Sequence, residues 1–204
     1  MDEGSNKHRR RSLRLSSYDY SLVGPYFVTI CAYGKRCIFE QHAARGAIEQ
    51  TWQRLPERFA GLGLDEFVIM PNHVHFIVWL PGNHDAGAGF QRVRHAGAAS
   101  GAPTLGTVVR AFKSISAIAV NKELHTQGAP VWQRNYFERV VRDERELSAI
   151  REYILYNPTM WDRDCENPQA ASTNERSRTI RDEIEALLEQ PMCEPAPGDS
   201  ESDT

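Results

Sequence analysis

Phe67-Val68-Ile69-Met70-Pro71-Asn72-His73-Val74-His75-Phe76-Ile77-Val78-Trp79 is the stretch whose reading decides the fold. It is rich in β-branched and aromatic residues, and it reads as a pair of strands around 65–70 and 74–80. Successive side chains on a strand alternate between faces, so His73 and His75 share one face and Val74 takes the other. Two imidazoles on one rigid face are close enough to share a divalent ion. The spacing alone also fits two half-exposed strand histidines with no ligand between them.

Outward from this pair the pattern alternates between strand and helix. Residues 25–33 are β-branched and aromatic and predict a strand, which Gly34-Lys35 turns into a short partner strand around Cys37-Ile38-Phe39. Ala44, Ile48, Trp52, Leu55 and Phe59 recur at helical spacing over 41–59, with Pro56 distorting the last turn. The stretch 81–103 is Gly- and Ala-rich without periodicity, and 83–103 is expected to be a mobile loop. A second helix is predicted over 105–121, with Leu105, Val108, Val109, Phe112, Ile115 and Ala119 on one side and Arg110 and Lys113 nearer the other. A strand over 136–141 precedes a third helix, started by a capping box at Asp143 and Glu146, striped by Leu147, Ile150 and Ile154, and stopped by Pro158. Several strands lie too close together in sequence for βαβ crossovers throughout. The fold class is therefore α+β, a largely antiparallel sheet with helices packed on it.

At 204 residues, 41% hydrophobic and 25% charged, the chain fits one globular domain with dispensable ends. No apolar run reaches the roughly 18 to 20 residues that span a bilayer, so a soluble, cytoplasmic protein is expected, with no membrane partner. Cys31, Cys37, Cys165 and Cys193 form no Cys-x-x-Cys pair and read as reduced thiols. The net charge of −3 conceals a split: residues 1–161 hold 20 Lys+Arg against 15 Asp+Glu, and residues 162–204 hold 4 against 12. The division expected is a basic arm over 1–15, a folded domain over 16–161 and an acidic, partly disordered tail over 162–204, with a helix around 179–189. Lys7, Arg9, Arg10, Arg11 and Arg14 in the arm are either a solvated tail or a seat for a phosphate backbone.

Tyr153 and Asn157 stand four residues apart on the third helix, so they share a side next to the apolar stripe. Both can reach a site at the sheet edge. Equally, Tyr153 can be a boundary aromatic and Asn157 a helix cap before Pro158.

Met70-Pro71-Asn72-His73-Val74-His75, the run 105–114, Val131-Trp132-Gln133-Arg134-Asn135-Tyr136-Phe137 and Arg151-Glu152-Tyr153-Ile154-Leu155-Tyr156-Asn157-Pro158 together resemble the single-tyrosine HUH transposases, and more narrowly their REP-associated tyrosine transposase branch. Arg10-Arg11-Ser12-Leu13-Arg14-Leu15 with Tyr18-Asp19-Tyr20 and Tyr26-Phe27-Val28-Thr29-Ile30 extends the likeness to residues 9–161. The resemblance implies a ferredoxin-like or RRM-like HUH core over 16–161. It makes Tyr153 the catalytic nucleophile, and His73, His75 and Asn157 the ligands of Mg²⁺ or Mn²⁺. Arg9, Arg10, Arg11, Arg14, Arg110, Lys113 and Arg134 become DNA contacts. The activity implied is metal-dependent nicking and joining of single-stranded DNA hairpins through a 5′-phosphotyrosine intermediate, by a monomer or homodimer. Two other readings stand beside it: a hairpin-binding protein that does not cleave, and a replication-initiator or relaxase nickase.

Overall fold

The computed structural model describes residues 23–81, 103–170 and 179–189. Four strands form one antiparallel sheet in the order β2-β3-β1-β4, where β1 is Gly24–Cys31, β2 Gly63–Ile69, β3 His73–Leu80 and β4 Phe137–Val140. The alternation read from the sequence sorts the central strands between two layers. Tyr26, Val28, Ile30, Val74, Phe76 and Val78 pack under α1 (His42–Gln53) and α3 (Leu105–Glu123). Phe27 and Ile77 face α4 (Glu144–Tyr156) and α5 (Ile180–Glu189) instead. Both faces of the central strands are thus covered, which is why they are apolar nearly throughout. The α+β sandwich expected from the sequence is the fold observed.

Local signals act where they were read. Asp143 caps α4 by accepting from the Glu146 amide at 2.8 Å, but Glu146 reaches back to the Arg142 amide and the Arg139 guanidinium. The helix before β2 breaks near Pro56, leaving a short α2 (Leu55–Arg58) after α1. Two expectations are corrected. Cys37-Ile38-Phe39 is no strand: Gly34 and Lys35 take positive φ, and the chain makes two 3-10 turns that bury Phe39 and let its amide donate to the Pro71 carbonyl. On α3 the core position is Ser116 rather than Ile115, because the Ser116 hydroxyl donates to Phe112 O and accepts from Trp132 Nε1. Pro158 marks the end of α4 as read, the α-helix stopping at Tyr156, and a 3-10 helix follows over Asn157–Arg163 with the proline in its first turn, where no donor is needed. The expected mobile loop lies almost wholly outside the described residues, as does the basic arm.

Past Trp161, residues 162–170 and α5 belong to the fold. Asp164, Cys165, Asn167 and Ala170 are buried, and Ile180 and Ile184 of α5 join the α4 core.

Arg151 ties α4 to the sheet through a bidentate pair with Asp65 at 2.8 and 2.7 Å, and Trp79 Nε1 donates to the same carboxylate at 2.7 Å. Burial alone would raise the Asp65 carboxyl, but the hydrogen bonds from Arg151, Trp79 and the Glu66 amide outweigh it and hold it below the usual carboxylate range. A carboxyl depressed in the folded state stabilises fully above its unfolded value, and the contribution is lost as pH falls through the folded one. With Arg151 partly in solvent, Asp65→Ala is expected to cost about 1–2 kcal/mol. Urea unfolding at neutral pH and at acid pH checks this, and the difference between the two proteins should shrink in acid.

Candidate active site

Register builds the site. Thr29 pairs with His75 and Cys31 with His73, so all four side chains lie on the α4 face at the end of the sheet. His73 and His75 are fully buried, with Nε2 atoms 2.9 Å apart. Burial pushes both imidazoles down, His75 to about 3, and each is neutral at physiological pH. Asp164, which the sequence reading left in the acidic tail, lies with its Oδ2 3.6 Å from His73 Nε2. The ligand atoms of His73, His75 and Asp164 all lie within 4.8 Å of one another.

Tyr153 joins this cluster. Its ring meets His75 edge-on with centroids 5.3 Å apart and Phe27 likewise at 6.1 Å. Its hydroxyl donates to Glu183 Oε2 of α5 at 2.8 Å. Burial, then the Glu183 carboxylate, pushes the phenol well above its ordinary range. Asn157, one turn further along, is buried with Oδ1 unpartnered, as is Asp164 Oδ2. Burial raises the Asp164 carboxyl to about 7.

A buried oxygen without a donor is costly, and the Asp164 oxygen beside two neutral imidazole nitrogens makes a donor set suited to a hard or borderline cation. The imidazole spacing agrees, because adjacent ligands of an octahedral ion held at about 2.1 Å stand about 3 Å apart.

The other predicted contacts fall elsewhere. Arg110, Lys113 and Arg134 line a cleft of about 730 Å³ between α3 and the segment before β4, with Trp132 and Tyr136. It opens on the opposite layer from the histidines but at the same end of the sheet, where Ala32 bridges Trp132 and Gln133 N donates to Cys31 O. Lys113 spends two donors on the carbonyls of Gln133 and Arg134, so it fixes the cleft wall. Arg9, Arg10, Arg11 and Arg14 are outside the described residues.

Sequence reading missed Asp164 and Glu183. Asp164 sits in a polar stretch without a periodic mark and Glu183 on a helix read only as part of the acidic tail, and only the packing of 164–170 and α5 against α4 brings them in.

No protein-family model matches the chain. An uncharacterized Haemophilus influenzae protein is 35% identical over 170 residues, covering 77% of this chain and 92% of that one. A second protein of the same organism, assigned as a REP-associated tyrosine transposase, is 27% identical over 149 residues, covering 71% of this chain and 76% of its own. In fold, the chain is similar to a REP-associated tyrosine transposase solved bound to a REP hairpin, with a TM-score of 0.50, 15% identity and 70% of each chain covered. Among the described residues no helix is long and apolar enough to cross a membrane. The sequence motifs thus lie on one sheet and its α4, and along most of its length the chain is similar to these proteins, a REP-associated tyrosine transposase among them.

Proposed function

We propose that this protein nicks and rejoins single-stranded DNA at palindromic hairpins, with Tyr153 as nucleophile and a 5′-phosphotyrosine as intermediate. The observation that carries the reading is the packing of the Tyr153 ring on His75, within a buried cluster whose Asp164 Oδ2 lacks a partner. The REP hairpin held by the similar structure supports the choice of substrate.

His73, His75 and Asp164, with Asn157, would hold a Mg²⁺ or Mn²⁺ ion, which when bound polarises the scissile phosphate as a Lewis acid. The chain's own residues do the rest. Phe27 and His75 fix the Tyr153 ring, so its oxygen is pre-oriented for attack. Glu183 already accepts from the hydroxyl, and we assign it as the acceptor of the phenolic proton as the oxygen–phosphorus bond forms. The 3′ oxygen of the strand leaves, and the phosphate ester passes to tyrosine. Because ester is exchanged for ester, a free 3′-hydroxyl can attack in reverse and join strands without a nucleotide cofactor.

A buried tyrosine at a sheet end suits an extruded strand rather than an intact duplex. Arg110 and Arg134 at the cleft would follow the backbone, Trp132 and Tyr136 would stack bases, and Arg9, Arg10, Arg11 and Arg14 would add phosphate contacts. An end-labelled hairpin strand incubated with protein and Mn²⁺ should give nicked and rejoined products on a denaturing gel, while the same sequence annealed to its complement stays whole. Equal cleavage in excess chelator, or of the duplex, would contradict the proposal.

A further inference from the structure

We propose that Thr29 is a positioning residue for the cation site, whose hydroxyl lets His75 carry its proton on Nε2 when the site is empty and on Nδ1 when a divalent cation is held. The inference rests on the metal-dependent reading above and adds a requirement to it.

Asn72 starts the derivation. Its Nδ2 lies 2.7 Å from the Glu166 carbonyl and 3.2 Å from the Lys35 carbonyl, so this end of the amide is the donor. The atom 2.8 Å from His73 Nδ1 is then the amide oxygen, which only accepts. His73 therefore carries its proton on Nδ1 and presents a bare lone pair at Nε2. That lone pair faces His75 Nε2 at 2.9 Å. Two lone pairs opposed at that distance in a buried site repel, so without a cation His75 must hold its proton on Nε2 and donate it to His73. His75 Nδ1 is then an acceptor, and the group 2.7 Å away is Thr29 Oγ1, which donates to it.

A cation held by both Nε2 atoms needs the opposite arrangement at His75. One N–H bond is lost at Nε2 and one gained at Nδ1, the ring staying neutral with no net release of a proton. The partner at Nδ1 must then accept. A carbonyl could serve only the loaded form and an amide N–H only the empty one; a hydroxyl rotates and serves both. Thr29 is held opposite His75 by the β1–β3 register and is itself buried.

The test uses the full chain with ¹⁵N-labelled histidine. Ring-nitrogen spectra without cation should show His73 protonated on Nδ1 and His75 on Nε2, and adding the diamagnetic probe Zn²⁺ should move the His75 proton to Nδ1. By calorimetry, Thr29→Val should bind Mn²⁺ about 10–100-fold more weakly, while Thr29→Ser, which keeps the hydroxyl, stays near the unmodified protein. His75 protonated on Nδ1 before any cation is added, or Thr29→Val binding Mn²⁺ unchanged, would overturn the role of Thr29 alone. Failure of the unmodified protein to bind either ion would overturn the metal reading and the switch with it.

Discussion

Tyr153→Phe should lower hairpin cleavage and joining by at least about a thousandfold, because it removes the oxygen that forms the phosphate ester and leaves nothing to replace it. The ring that packs on Phe27 and His75 is kept, and Glu183 retains the Cys165 amide as a donor. Stability should therefore change by no more than about 1 kcal/mol, the worth of one hydrogen bond. Hairpin affinity should change little. Tyr156→Phe and Tyr136→Phe are the comparisons: Tyr156 is 54% exposed on the outer side of α4, and Tyr136 lines the cleft on the other layer. Both should cleave within a few-fold of the unmodified protein. Gel rates with one labelled hairpin, alongside anisotropy for binding and thermal unfolding, separate the chemical effect from the others.

His75→Ala should lower cleavage by at least about a hundredfold and abolish measurable Mn²⁺ binding, with His73→Ala doing the same. Both histidines are fully buried, and the phosphate contacts proposed lie on other residues, so hairpin affinity should survive. The oxygen donors are expected to rank. Asp164 is the one carboxyl of the cluster and can ionise against a bound cation, so Asp164→Ala should lose more Mn²⁺ affinity than Asn157→Ala, where water can replace a neutral oxygen. Calorimetry with Mn²⁺ gives the order directly, and a larger loss in Asn157→Ala would reverse it.

How far the site was legible depended on how local its causes are. The His73/His75 pair, the strands around it and the Asp143 cap follow from period and capping chemistry within a few residues, and the structure keeps them. The wider apolar stripe of α3 was legible except at Ser116, whose burial depends on a hydrogen bond to Trp132, a residue no helical pattern can foresee. Cys37–Phe39 was misread because positive φ at Lys35 extends the turn that Gly34 begins. Asp164 and Glu183 were invisible for a different reason. A carboxylate in a polar, acidic stretch has no signature until Asn72 anchors Glu166 to the sheet end and α5 packs on α4. Thr29 and Asn72 read as strand and turn residues, and their roles depend on register across β1 and β3 and on which amide atom meets which ring nitrogen.

The central claim is that Tyr153 becomes the covalent attachment point for DNA, and the most direct measurement is intact mass spectrometry of the protein incubated with a single-stranded hairpin and Mn²⁺, followed by peptide mapping. The account predicts a new species heavier by the mass of the 3′-side DNA fragment, with the phosphate on Tyr153, absent in chelator and in Tyr153→Phe. A DNA-bearing peptide centred on Tyr156 or Tyr136, or cleavage that proceeds with no covalent species under conditions that trap it, would contradict the account.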